Sequence, residues 1–185
     1  LGGSLGAGKT TLVSNLIRNR SFEPQKDGIV VMDAAGNIDF QRINSLAQQY
    51  GIDVENATSA CTVCDGPNAA FRKIEELQQQ GIENILVELS GQMPLSTMTE
   101  QLASNGIFMP NSIYLVDPRY FSEVGAADEV TFSDVIGITK HPLTPFDKNT
   151  ISKYSQSLLV EIEKDTSLTL EELLAYKQES SGSFQ

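Results

Sequence analysis

Two hydrophobic patterns take turns along this chain. Short unbroken apolar runs, Ile29-Val30-Val31-Met32, Ile85-Leu86-Val87-Glu88-Leu89, Ile113-Tyr114-Leu115-Val116-Asp117 and Val135-Ile136-Gly137-Ile138, read as strands buried on both faces of a parallel sheet. Between them, apolar residues recur every third and fourth position, which is the stripe of a helix lying on that sheet. Thr11 to Ile17 predicts a first helix. Ile43, Leu46, Ala47 and Tyr50 mark a second, stopped by Gly51. Asn68 to Gln80 predicts a third, with Phe71, Ile74 and Leu77 inward and Gly81 as its stop. Leu95, Met98 and Leu102, after Pro94, predict a fourth.

Ile52 to Ala60 is ambiguous and fits a short strand. Phe146 to Lys164 reads mainly as helix, with Ile151, Tyr154, Leu158 and Ile162 on one stripe, although Ser157 to Ile162 fits a last strand as well. Thr169-Leu170-Glu171-Glu172 has the form of a capping box opening a short helix. Gln178 to Gln185 reads as a polar tail. Strands alternating with helices predict an α/β domain over residues 1–177, a three-layer fold with a mostly parallel central sheet and helices on both faces.

The stretch Gly3-Ser4-Leu5-Gly6-Ala7-Gly8-Lys9-Thr10 fits the phosphate-loop pattern G-x-x-x-x-G-K-[ST] at every fixed position. Its glycines let the backbone curl so that successive N–H groups face one anion, and the following helix turns its positive end toward it. Gly3, Gly6, Ala7, Gly8, Lys9, Thr10 and Thr11 are therefore candidate nucleotide-binding residues. Lys9 is placed to reach the β- and γ-phosphates and Thr10 to hold Mg²⁺. Such a loop ordinarily follows a buried strand. Only Leu1 and Gly2 precede it here, so the chain reads as clipped inside its first strand.

Composition narrows the reading. The 185 residues carry a formal net charge of −11, and an acidic surface argues against nucleic acid, whose binding needs Lys and Arg to neutralise phosphates. No apolar run approaches the roughly 18 residues of a membrane span. The two cysteines stand three apart rather than forming a disulfide framework. A cytoplasmic setting is the expectation.

Glu88 ends an apolar strand just before Ser90-Gly91. A carboxylate there is placed to hold Mg²⁺ through water or to orient an attacking water, with the Gly91 N–H free to meet a γ-phosphate. Asp33 and Asp39 flank a loop at the carboxyl end of the second strand, the edge where open α/β sheets bind ligands, and are candidate switch residues. Cys61-Thr62-Val63-Cys64 leaves three readings open: a soft-metal site such as Zn²⁺, a redox pair, or two small buried hydrophobes. Two thiolates do not complete a tetrahedral site. Asp33, Asp39, Asp65, His141 or a second subunit would have to contribute.

These residues in this order resemble the CobW-like metallochaperone GTPases, relatives of UreG and HypB in the SIMIBI class of P-loop NTPases. The likeness is carried by Leu5-Gly6-Ala7-Gly8-Lys9-Thr10-Thr11, by Asp33 through Asp39 at the switch I position, by Cys61-Thr62-Val63-Cys64, and by Glu88-Leu89-Ser90-Gly91-Gln92-Met93-Pro94, similar to the family's E-x-S-G-x-x-x-P run. Asp134 through Lys140 lies where the family has D-V-I-x-x-N-K. The resemblance implies that Lys9 and Thr10 serve phosphate and Mg²⁺, that Glu88 and Gly91 form switch II, that Thr139 and Lys140 lie at the base, and that Cys61 and Cys64 hold zinc or a related metal. It further implies GTP hydrolysis coupled to metal delivery to a client metalloenzyme, and a nucleotide-dependent homodimer.

The sequence departs from that pattern in two places. The family's C-x-C-C is reduced to two cysteines, and the guanine-reading N-K-x-D becomes Thr139-Lys140-His141-Pro142, which removes its carboxylate. Asp147 is a substitute only from a shifted loop. Two other functions stay open: a P-loop small-molecule kinase, and a nucleotide- or metal-sensing module in which hydrolysis has decayed.

Overall fold

A computed structural model describes residues 1–32, 38–59, 65–109, 111–120, 126–141, 149, 151 and 157–181. Seven strands are present among the described residues: β1 (Gly2–Gly3), β2 (Asp27–Val31), β3 (Asp53–Asn56), β4 (Asn84–Glu88), β5 (Ile113–Val116), β6 (Val135–Thr139) and β7 (Leu158–Ile162). The α-helices described in full are α1 (Lys9–Arg18), α2 (Ile38–Ala47), α3 (Gly66–Gln79), α4 (Leu95–Ser104), α5 (Ala126–Thr131) and α6 (Leu170–Ser181).

The strands pair in parallel in two groups, β3-β2-β4 and β1-β5-β6-β7. Leu1 joins the groups. Its amino group donates to Val87 O at 2.8 Å, and its carbonyl accepts from Leu89 N at 2.9 Å. Those two bonds flank Glu88 in the pattern of a parallel ladder. The order across the molecule is therefore β3-β2-β4-β1-β5-β6-β7. The two-residue strand β1 lies in the middle of this order.

Side-chain alternation divides the core into two layers, as a pleat of period two requires. Val30, Val87, Tyr114, Val116, Ile136 and Ile138 face α3, α4 and α5, meeting Ile74, Leu77, Met98, Leu102 and Val130. Ile29, Val31, Ile113, Leu115, Val135 and Ile162 face α1, α2 and α6, meeting Leu12, Leu16, Ile43 and Leu173. This is the expected three-layer α/β arrangement with helices on both faces.

Local signals act as the sequence predicts. Gly51 ends the turn after α2 at φ 70°. Thr169 and Glu172 form a full reciprocal capping box: Thr169 N donates to the Glu172 carboxylate at 2.7 Å and Glu172 N to Thr169 Oγ1 at 3.2 Å. The α6 helix runs on to Ser181, four residues into the stretch expected to be tail.

One expectation is corrected. Leu158–Ile162 is a strand, not part of a helix over 146–164. Leu158 and Ile162 match a helical stripe only by their spacing of four, which also suits alternate residues of a strand. A free sheet edge at β6 decides the matter, because β7 pairs with it along its whole length. The short helix α5 carried too few residues for a periodic signal.

Candidate functional site

The loop from Gly3 to Thr10 connects central strand β1 to α1, so it stands at the carboxyl edge of the sheet, where ligands bind in open α/β folds. Gly6 and Gly8 take positive φ of 76° and 99°, the left-handed conformation that lets the loop curl back on itself. The first N–H groups of α1 have no partner within the helix and open toward the loop. Lys9 is buried, and its Nζ donates to Gly3 O at 2.7 Å and Ser4 O at 3.1 Å. The ammonium therefore spans the loop with its charge inside the curl. Burial lowers its pKa, opposed by the charges of Glu88 and Asp39.

Glu88 is the best-defined acid of the site. It ends β4 between β2 and the Leu1–Gly3 segment, paired in register with Val31 on one side and bonded around Leu1 on the other. It shares the sheet face of Leu86, the face covered by α1, which turns its carboxylate toward Thr10. Thr10 Oγ1 donates to Glu88 Oε1 at 2.8 Å. Oε2 is buried and has no hydrogen-bond partner among the described residues. Desolvation pushes the Glu88 carboxyl up to about 7, against the Thr10 hydrogen bond and the Lys9 charge, with Asp39 adding to the rise. Two hard oxygen donors beside a phosphate loop, one with an unsatisfied lone pair, suit Mg²⁺.

Gly91 presses on the loop. A Cβ built there would stand 2.8 Å from both the N and the Cα of Leu5. On the other side, Thr139 ends β6 and donates from Oγ1 to Ala7 O at 2.8 Å and to Val116 O at 3.3 Å. Lys140 has φ 68° and reaches across the loop, its Nζ 3.8 Å from the place a Gly6 Cβ would take. Sequence reasoning missed its companion Asp117. This buried carboxylate follows β5, takes two bonds from the Arg119 guanidinium at 2.8 and 3.1 Å, and lies 3.8 Å from Lys140 Nζ. The Arg119 bonds hold its carboxyl below the ordinary range. The signal that singled out Glu88, an acid at the end of an apolar strand, marks Asp117 too.

Beside the loop opens a cavity of about 610 Å³, walled by Gly8, Thr11 and Asn15 of the loop and α1, by Thr139 and Lys140 after β6, and by Glu163 after β7. Its size suits a nucleoside.

The other candidates are not all drawn together. Asp39 lies in the first turn of α2 and acts on Lys9 and Glu88 through its charge. Asp33, Cys61, Cys64 and Asp147 lie outside the described residues. His141 follows β6, which is five strand spacings, about 24 Å, from β3, the strand preceding the cysteine segment. Among the described residues, no group of three His, Cys, Asp or Glu is arranged to hold a metal ion, and no helix is long and apolar enough to cross a membrane.

A phosphate loop at the centre of a parallel sheet, with a carboxylate facing its threonine, defines a P-loop nucleotide-binding fold. The family profile described as CobW/HypB/UreG, nucleotide-binding domain, matches residues 1–166, and the chain belongs to that family. A curated relative is the urease accessory protein UreG of Metallosphaera sedula, 26% identical over an alignment of 174 residues that covers 89% of this chain and 77% of the relative. Among solved structures, the signal recognition particle 54 kDa protein of Aeropyrum pernix K1, in complex with GDP, matches at TM-score 0.58 and 17% identity over 98% of this chain. The signal recognition particle receptor FtsY of Elizabethkingia anophelis matches at TM-score 0.56 and 15% identity over 97%. The chain spans 48% and 63% of those two structures. At such identity they show the fold alone.

Proposed function

We propose that this chain is a Mg²⁺-dependent GTP hydrolase whose nucleotide state controls the binding of a transition metal, zinc or a similar ion, and its delivery to a client metalloenzyme. The observation that carries the catalytic half is the pair Thr10–Glu88: a hydroxyl and a buried carboxylate in contact at 2.8 Å, with Glu88 Oε2 left without a partner among the described residues. Thr10 and Glu88 would hold Mg²⁺, Glu88 directly or through water, and the ion would neutralise charge on the β- and γ-phosphate oxygens.

The chain's own groups account for the rest. Lys9 leaves the carbonyls of Gly3 and Ser4 for the phosphate oxygens, and its ammonium offsets charge there as a water oxygen bonds to the γ-phosphorus and the bond to GDP breaks. The N–H groups of Gly6, Gly8, Lys9 and Thr10 face the same anion. Gly91, pressed against Leu5, links the segment after β4 to the loop. Thr139 and Lys140 border the base cavity. Asp39 is close enough in charge to Lys9 to respond when phosphate arrives.

Coupling to a metal rests on the family and on where the cysteine segment begins and ends. Gly66, two residues after Cys64, packs so tightly that a Cβ would stand 3.0 Å from the Met32 methyl and 3.1 Å from that of Met93. Met32 precedes Asp33, and Met93 lies two residues beyond Gly91. Residues on both nucleotide-facing segments thus anchor one end of the cysteine segment. An order change on γ-phosphate binding would be felt by Cys61 and Cys64. By family likeness the chain would act as a nucleotide-dependent homodimer in the cytoplasm.

The test is a titration of the full-length protein with Zn²⁺, Co²⁺ and Ni²⁺ in the presence of Mg²⁺-GTP, Mg²⁺-ATP or no nucleotide, beside a Cys61→Ser/Cys64→Ser variant. Metal affinity should rise with Mg²⁺-GTP and vanish in the variant. Affinity indifferent to nucleotide, or to the cysteines, would remove metal delivery from this reading.

A further inference from the structure

We infer that Glu163, at the carboxyl end of β7, is the carboxylate that reads the base in the 610 Å³ cavity, and that the base it selects is guanine. This rests on the reading above of the chain as a nucleotide-binding P-loop protein. The usual acceptor position after β6 is filled by Pro142, which offers neither a carboxylate nor an N–H. The cavity wall nevertheless carries two carboxylates, Glu161 and Glu163, and neither has a hydrogen-bond or ion-pair partner among the described residues.

The backbone distinguishes the two. Glu161 lies within β7, paired in register with Ile138. Glu163 lies just beyond the strand, at the level of Lys140 and at the ligand edge of the sheet. Its position is fixed on both sides. Glu163 O accepts from Thr166 N at 3.2 Å, and the next carbonyl, Lys164 O, accepts from Asn15 Nδ2 at 2.7 Å. Asn15 belongs to α1, one turn beyond the phosphate loop, and lines the same cavity. Asn19 Nδ2 adds bonds to Thr166 O and Leu168 O, both at 3.1 Å. The turn bearing Glu163 is thus tied to the helix that carries the phosphate loop, so phosphate and base contacts share one rigid frame.

The chemistry follows from donor counting. Guanine presents two donors side by side, N1–H and the 2-amino group, and an ionised carboxylate is acceptor-only with two oxygens. Adenine presents on that edge an acceptor and a C–H, which a carboxylate repels. Xanthine keeps N1–H but replaces the amine with a carbonyl, so it needs one acceptor and one donor, as a Gln side chain supplies.

Calorimetric titration of the Mg²⁺-loaded protein with GDP, ADP and XDP tests this without depending on hydrolysis or on any transition metal. GDP should bind at least tenfold tighter than ADP. Glu163→Gln should weaken GDP by about 10- to 100-fold, strengthen XDP relative to GDP, and not weaken ADP, whose phosphate contacts remain and whose N1 acceptor no longer faces a carboxylate. Glu161→Gln should change none of the three. The assignment is overturned if Glu163→Gln leaves the GDP-to-XDP ratio where it was, if Glu161→Gln or Asp147→Asn produces the switch instead, or if the unaltered protein prefers ADP. Failure of the unaltered protein to bind any of the three would overturn the nucleotide-binding reading with it.

Discussion

Gly91 and Leu5 meet so closely that no side chain fits between them: a Cβ on Gly91 would lie 2.8 Å from the Leu5 N and Cα. The segment following β4 therefore rests directly on the backbone of the phosphate loop. Movement of either is felt by the other.

Gly91→Ala should force the loop to shift, because the obstruction is backbone and cannot rotate away. Overpacking of this kind costs about 1–3 kcal/mol, read as a lower urea midpoint. Affinity for GDP should fall at least tenfold by calorimetry. A variant that binds GDP normally would show that the contact yields without disturbing the loop.

Glu88 predicts an unusual pH dependence for the protein free of Mg²⁺. Its carboxyl, ordinarily at 4.5, is raised to about 7 by burial. The folded chain then holds a proton that the unfolded chain has released, so stability falls as pH rises. The contribution is full below about pH 4.5 and is lost as pH passes through about 7. Between pH 5.5 and 8 the loss should be about 2 kcal/mol at 1.36 kcal/mol per unit. Urea unfolding in EDTA at several pH values measures it, and Glu88→Gln should flatten the slope.

The same Glu88→Gln variant should need at least tenfold more Mg²⁺ to reach half-maximal GTP hydrolysis, since a neutral amide is a poorer ligand for a hard cation. Nucleotide binding without Mg²⁺ should change little. An unaltered Mg²⁺ requirement would take Glu88 out of the metal site.

Thr139 ties the end of β6 to the loop through Ala7 O. Thr139→Val keeps the shape but strands that buried carbonyl, at a cost of about 1–3 kcal/mol. Thr139→Ser, which keeps the hydroxyl, should recover most of it. Equal losses in the two variants would point to packing by the methyl group instead.

Asn15→Ala should release Lys164 O and loosen the turn beyond β7. Faster amide exchange confined to residues 163–168, with a stability loss of about 1 kcal/mol, is the expected signature. Exchange unchanged in that turn would mean that the bonds from Asn19 suffice.

The sequence by itself determined the α/β class, the phosphate loop, most of the strands and the capping box at Thr169. Each is a local property: a glycine pattern, an apolar run, or a side chain bonding to backbone three residues away. It also singled out Glu88 from its place at a strand end. What it left undecided were the features made by distant partners. Leu158–Ile162 fits helix and strand alike until β6 offers an edge to pair with. The burial of Glu88 arises because β2 and the Leu1–Gly3 segment flank it, and neither neighbour is near it in sequence. Asp117 gains its meaning from Lys140, and Glu163 from the cavity and from the Asn15 clamp on the residue after it. Period and propensity act over a few residues, whereas desolvation, charge pairing and the walls of a cavity depend on which elements the fold sets side by side.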